Sequence, residues 1–177
     1  LNFGIIYGMG AQSFSESANI SKERAKEFIF EYLKDFSGVA QYIKKLQDEA
    51  RKYGYTVTLF GRRRYLPGLN SPYPMFRSQA ERIAINMPIQ GLEADIMKKA
   101  MIAVDKWLMK EEKESDIRML LQVHDELLFE VKENLVAEAA PKIAELMESV
   151  IKLKVPIIAE AKVGDNWGKL EKYAGTA

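Results

Sequence analysis

The stretch Arg118-Met-Leu-Leu-Gln-Val-His-Asp-Glu-Leu-Leu-Phe-Glu-Val131 decides the fold of the second half of the chain. Two apolar runs of strand length flank His124, Asp125 and Glu126. This pattern predicts a β-hairpin with adjacent carboxylates at its turn. Short apolar runs bounded by a polar turn point to strands buried against a layer of helices. Turns face solvent, so these acids taken alone are those of an ordinary solvated turn. Any chemistry assigned to them has to come from the segments around them.

Length and composition narrow the classes. At 177 residues the chain can build one good core, or two small subdomains sharing one. Its 26 basic residues against 25 acidic ones leave +1, so a polyanionic partner would be met by local patches and not by a global field. There is no cysteine, which removes disulfides and thiolate metal sites. The single histidine, His124, excludes zinc centres built on several histidines. No Gly-x-Ser-x-Gly nucleophile elbow is present. No apolar run approaches the ~20 residues that span a bilayer, and no signal peptide is apparent. A cytoplasmic protein without a membrane partner is expected. The opening Leu1-Asn-Phe-Gly-Ile-Ile-Tyr-Gly8 has no leader character and looks like a cut through a larger protein.

In chain order, residues 2–9 suggest the tail of a helix ended by Gly8 and Gly10. Ser21 is a good N-cap for a helix whose apolar face is Ala25, Phe28, Ile29, Tyr32 and Leu33. Residues 38–53 repeat that spacing with Val39, Tyr42, Ile43, Leu46 and Ala50, and Gly54 stands at the C′ position. The pair predicts an antiparallel helical hairpin. Residues 55–60 are rich in β-formers, and 61–67 turn the chain back. Helix resumes near Arg77, and Pro88 with Gly91 predicts a kink or break. A further helix carries Ile96, Met97, Ala100, Met101, Val104, Trp107 and Leu108. After the hairpin come a helix from Leu135 to about Leu153, which Pro141 restarts or kinks, and then a strand from Val155 to Val163 and a tail. The fold class is α+β, helical first and then an antiparallel sheet covered by helices on one face.

Adjacent carboxylates between two strands suit Mg²⁺, a cation that prefers hard oxygen ligands. A two-metal site also needs an acid from another segment, and none is visible here: Glu93 and Asp95 look like surface charges on a helix. Several motifs together resemble family A DNA polymerases, the bacterial DNA polymerase I type. Residues 1–8 resemble the second half of motif B, and Gln122-Val-His-Asp-Glu126 resembles motif C. Asn86-Met-Pro-Ile-Gln-Gly91, followed by Ala-Asp-Ile-Met, resembles the palm helix. Thr58-Leu-Phe-Gly-Arg-Arg-Arg-Tyr-Leu-Pro67 and Gly164-Asp-Asn-Trp167 also fit, and all five lie in family order.

The resemblance implies a partial fingers subdomain over 1–75 and a partial palm over 76–177. It implies nucleotidyl transfer from a dNTP to a primer 3′-hydroxyl by two Mg²⁺ ions. Asp125 would be a metal-binding catalytic carboxylate with Glu126 in support, and His124 would lie near the primer terminus. Arg82, Asn86 and Gln90, spaced for one helix face, would meet primer and template. Phe3 and Tyr7 would pack on the nucleotide, where Phe at position 3 is associated with discrimination against dideoxynucleotides. Arg62, Arg63 and Arg64 are either phosphate contacts or a solvated basic turn.

The departures are as definite. The motif B lysine would precede Leu1, motif A with its aspartate lies upstream, and Leu92 and Glu93 stand where many members have Thr and Ala. The fragment alone is therefore expected to be inactive, to need a segment carrying motif A, and to self-associate through an exposed sheet edge. The alternatives are a non-catalytic nucleic-acid-binding module or one chain of a split polymerase.

Overall fold

The computed structural model describes residues 2–175. The described residues form six α-helices, α1 (Asn2–Ile6), α2 (Ala11–Ala18), α3 (Lys22–Asp35), α4 (Ser37–Tyr53), α5 (Pro74–Lys110) and α6 (Val136–Ser149), the first four in succession before any strand. The strands form three separate antiparallel ribbons: β1 (Tyr55–Val57) with β2 (Arg63–Tyr65), β3 (Ile117–Val123) with β4 (Glu126–Val131), and β5 (Lys162–Val163) with β6 (Glu171–Lys172). The class is the expected α+β. The chain divides into two compact units, Leu1–Leu92 and Glu93–Ala177.

In the first unit the predicted caps are in place. The Ser21 side chain accepts the Arg24 N–H at 3.2 Å, which starts α3. Gly54 closes α4 at φ 75°, with its N–H on the Ala50 carbonyl. Gly8, at φ 82°, ends α1 in a Schellman motif: Met9 N–H reaches the Gly4 carbonyl and Gly8 N–H the Ile5 carbonyl. Two cores result. Ile5, Phe14 and Ala25 bring α1, α2 and α3 together, whereas Ala50, Leu66, Leu69, Ala80 and Ala84 join α4 and the β2–α5 connection to α5. Helices α3 and α4, joined through Phe36 alone, touch one another as the helical hairpin requires, while the buried Ala25 of α3 and Ala50 of α4 belong to different cores. Helix α2 has no counterpart in the sequence reading, because its eight residues carry one large apolar side chain, Phe14.

The expected break at Pro88 is absent: α5 runs through it. Proline supplies no N–H, so the carbonyl four residues back, on Ala84, loses its helical donor. The buried Thr56 hydroxyl of β1 donates to that carbonyl at 3.2 Å and replaces the lost bond. A little further on, Gly91 admits the ribbon itself. A Cβ there would lie 2.5 Å from Thr58 Cγ2, and an Arg62 guanidinium N–H donates to the Gly91 carbonyl at 2.7 Å. Each helix-breaking residue is matched by a ribbon residue that makes use of it.

In the second unit β3 and β4 pack on the second half of α5 and on α6. Val104, Leu108, Ile117, Ala139 and Ile143 are buried, ringed by Trp107, Met119, Phe129, Val131 and Leu146. Helix α6 is also unbroken at Pro141, but it ends at Ser149, short of the expected Leu153. The strand expected over Val155–Val163 reduces to β5. Residues 155–160 have no ladder partner among the described residues, Pro156 lacks a donor, and the Ala159 N–H is taken by a Glu148 carboxylate oxygen at 2.8 Å. The supposed tail supplies β6. Gly164 is needed there, because a Cβ would fall 2.2 Å from the Lys169 carbonyl oxygen.

Candidate functional site

The hairpin forms as its sequence requires. Pairing runs from Ile117↔Val131 to Val123↔Glu126, leaving His124 and Asp125 as a two-residue turn. The register shifts between Met119 and Leu121, so Met119 faces Phe129 while Leu121 faces Leu128. Phe129 and Leu128 point to opposite faces, so the bulge turns Leu121 away from the core that holds Met119. Nothing in the sequence signalled that bulge.

His124 has φ 54°. A two-residue hairpin turn demands positive φ, which glycine and asparagine adopt readily and other L-residues only at ~1–2 kcal/mol. The Gln122 side-chain amide donates to the His124 carbonyl at 3.1 Å and steadies the turn. The motif alone gives Gln122 no role; its position two residues before His124 along an extended strand is the signal for this brace. His124, Asp125 and Glu126 are all exposed. A non-glycine residue held in the left-handed region beside two adjacent carboxylates marks the turn as a functional candidate. At the base of the same hairpin, Lys132 pairs with Asp116 at 2.6 Å. The hydrogen bond from Lys132, with help from Ser115, holds the Asp116 carboxyl below the usual aspartate range.

Asp125 and Glu126 offer hard oxygens of the kind Mg²⁺ accepts, and that ion is often held by one or two carboxylates with waters and substrate phosphates. The donors fit the ion in kind. No group of three or more acidic, histidine or cysteine residues able to hold a metal exists among the described residues.

The remaining candidates lie in the first unit, and the fold brings several of them together. Phe3 and Tyr7 stack with ring centroids 6.4 Å apart and planes 14° apart. Burying Phe3 in a core would have been the ordinary use of such a residue, but it is 75% exposed; Ile5 is the core residue of α1. Gly8 brings the end of α1 onto α5, where a Cβ would touch Arg82 Cγ and Ile85 Cδ1 at 3.4 Å. Arg82 and Gln90 are exposed on α5, with Asn86 partly buried between them. The Asn86 Oδ1 is buried without a hydrogen-bond partner, a costly condition that native proteins rarely leave unexplained.

Residues 1–169 match the family model described as DNA polymerase family A. The chain belongs to that family. It is 45% identical over 167 residues to DNA polymerase I of Pseudomonas aeruginosa and 45% identical over 168 residues to the thermostable DNA polymerase I of Thermus aquaticus, covering 94% of this chain in each case. It spans only 18% and 20% of the lengths of those relatives. Among solved structures, the POL domain of Pol1 from M. smegmatis, in complex with DNA primer-template and dNTP, superposes with a TM-score of 0.82 at 45% identity, over 88% of this chain and 27% of that one. The mixture of helices and small antiparallel sheets is thus that of a family A polymerase domain. No helix of the described residues is long and apolar enough to cross a membrane.

Proposed function

We propose that this chain supplies nucleotide, primer-template and metal-binding surfaces to a DNA-directed DNA polymerase that transfers a nucleotide from a dNTP to a primer 3′-hydroxyl. The observation that carries the proposal is the strained His124–Asp125 turn, which holds two adjacent carboxylates at an exposed hairpin tip. In this account residues 1–75 are fingers and 76–177 are palm. Asp125 holds Mg²⁺ with Glu126 in support, and a bound Mg²⁺ pair supplies a more reactive 3′-hydroxyl and charge stabilisation for the leaving pyrophosphate. His124 lies at the primer terminus. The exposed faces of Phe3 and Tyr7 meet the sugar and base pair of the incoming nucleotide. Arg82, Asn86 and Gln90 contact the primer and template; minor-groove acceptors differ little between base pairs, which suits an enzyme that copies every sequence.

The same proposal has two consequences. The donor set at Asp125 is completed by an acid from outside the described residues, so the 177-residue chain alone does not polymerise. The enzyme is cytoplasmic, where its substrates are. Primer extension with Mg²⁺ and dNTPs tests the proposal: the polymerase containing this segment gives template-directed products, and the isolated chain gives none. Untemplated products, or none from the whole enzyme, would contradict it. Phe3→Tyr in that enzyme improves dideoxynucleotide incorporation, and unchanged discrimination would remove Phe3 from the nucleotide site.

A further inference from the structure

The β1–β2 ribbon has two faces with different contents. Thr56 is on the inner face, where its hydroxyl is used by Ala84. Direct cross-strand partners share a face, so Tyr55↔Tyr65 and Val57↔Arg63 make up the outer one. Tyr55 and Tyr65 meet edge to face at 5.6 Å, and the Arg63 guanidinium lies 4.7 Å above the Tyr55 ring. Tyr53, from the end of α4, extends the row at 6.0 Å from Tyr55 and carries Lys52 at 5.0 Å over its own ring. Tyr65 is 68% exposed and Tyr53 54%.

Folding does not explain this surface. The inner face already anchors the ribbon, and a cross-strand aromatic pair would stabilise it without Tyr53 or the two cations. The charges are also uncompensated: no carboxylate forms an ion pair with Lys52 or Arg63 among the described residues, whereas Arg51 is paired with Asp48 and Glu81. Aromatic rings in a row, interleaved with unneutralised cations, match a strand whose bases are free to stack and whose phosphates repeat alongside.

We propose that the outer face of the β1–β2 ribbon, built on Tyr53, Tyr55, Tyr65 and Arg63, is a stacking platform for single-stranded DNA. The choice of DNA rests on the polymerase function proposed above. A duplex is a poorer ligand, because paired bases hide the faces that the tyrosines would cover.

Binding of fluorescein-labelled oligo(dT) to the 177-residue chain, read by anisotropy against salt, tests the platform. Tyr65→Phe keeps the ring and binds like the parent. Tyr65→Leu keeps a large apolar side chain but loses the π-face, and it binds about tenfold more weakly. Arg63→Ala reduces the magnitude of the slope of log affinity against log salt by about 0.7, the loss of one phosphate contact. Equal binding by the Leu and Phe variants, tighter binding of duplex than of oligo(dT), tighter binding of oligo(U), or no binding by the parent would each overturn the proposal. Far-UV circular dichroism of each variant separates lost binding from lost fold. Primer extension by the polymerase containing this segment decides the polymerase function separately, so the two failures are distinguishable.

Discussion

The two larger ribbons are built on opposite principles. The β3–β4 hairpin is held by an apolar core: Ile117, Met119, Phe129 and Val131 sit against Val104, Leu108 and Ile143. Its polar residues are left free at the turn. The β1–β2 ribbon is held by polar fit to irregularities in a helix: a threonine hydroxyl on the carbonyl that Pro88 orphans, and a threonine methyl and a guanidinium against Gly91. A ribbon anchored by non-directional burial can tolerate a strained tip. One anchored by hydrogen bonds and a missing Cβ depends on a few residues being those and no others.

The contrast can be broken by mutation. Ile117→Ala should be the most damaging, costing about 2–5 kcal/mol by leaving a cavity in the second unit's core. Amide hydrogen exchange should show the loss in β3, β4 and α6 while β1 and β2 keep their protection; equal loss in both ribbons would mean that the units do not respond separately. In the first unit, Gly91→Ala pushes a methyl into Thr58 and should cost about 1–3 kcal/mol, although alanine is the better helix former. Thr56→Val should cost a similar ~1–3 kcal/mol by leaving the Ala84 carbonyl unsatisfied. If Gly91→Ala stabilises the protein in chemical denaturation, close packing against Gly91 is not what holds this ribbon.

The smallest effect concerns pH. The Asp116 carboxyl is held below its ordinary range by Lys132. A group whose pKa is lower in the folded state contributes stability above its unfolded value, about 3.9 for aspartate, and that contribution is lost as pH falls through the folded value. In an NMR titration the Asp116 midpoint should lie below the ordinary aspartate value and move up toward it in Lys132→Ala. An unmoved midpoint would detach the pair from the hairpin's base.

The same contrast explains what could be read from sequence. The second hairpin was legible because periodic apolar residues state their burial directly, and the caps at Ser21 and Gly54 because a cap is a local event. Pro88 misled because its repair comes from Thr56, far away in sequence, and local rules see only the broken bond. Residues 155–160 misled for the reverse reason: strand-like composition does not supply a ladder partner. For the candidate site, the motifs single out Phe3, Tyr7, Arg82 and Asp125 as candidates, but the left-handed histidine, the Gln122 brace and the buried Asn86 oxygen are properties of conformation.

The central claim is that the strained turn presents Asp125 for chemistry and not for folding. Its most direct test pairs single-turnover primer extension with thermal unfolding, using Asp125→Asn in the polymerase that contains this segment. Removing a metal-binding carboxylate should cost several kcal/mol of barrier, so the rate should fall by at least about a hundredfold while the melting temperature stays within a few degrees of the parent. A rate that stays at the parent level, or one that falls only in step with a collapse of the melting temperature, would contradict the account.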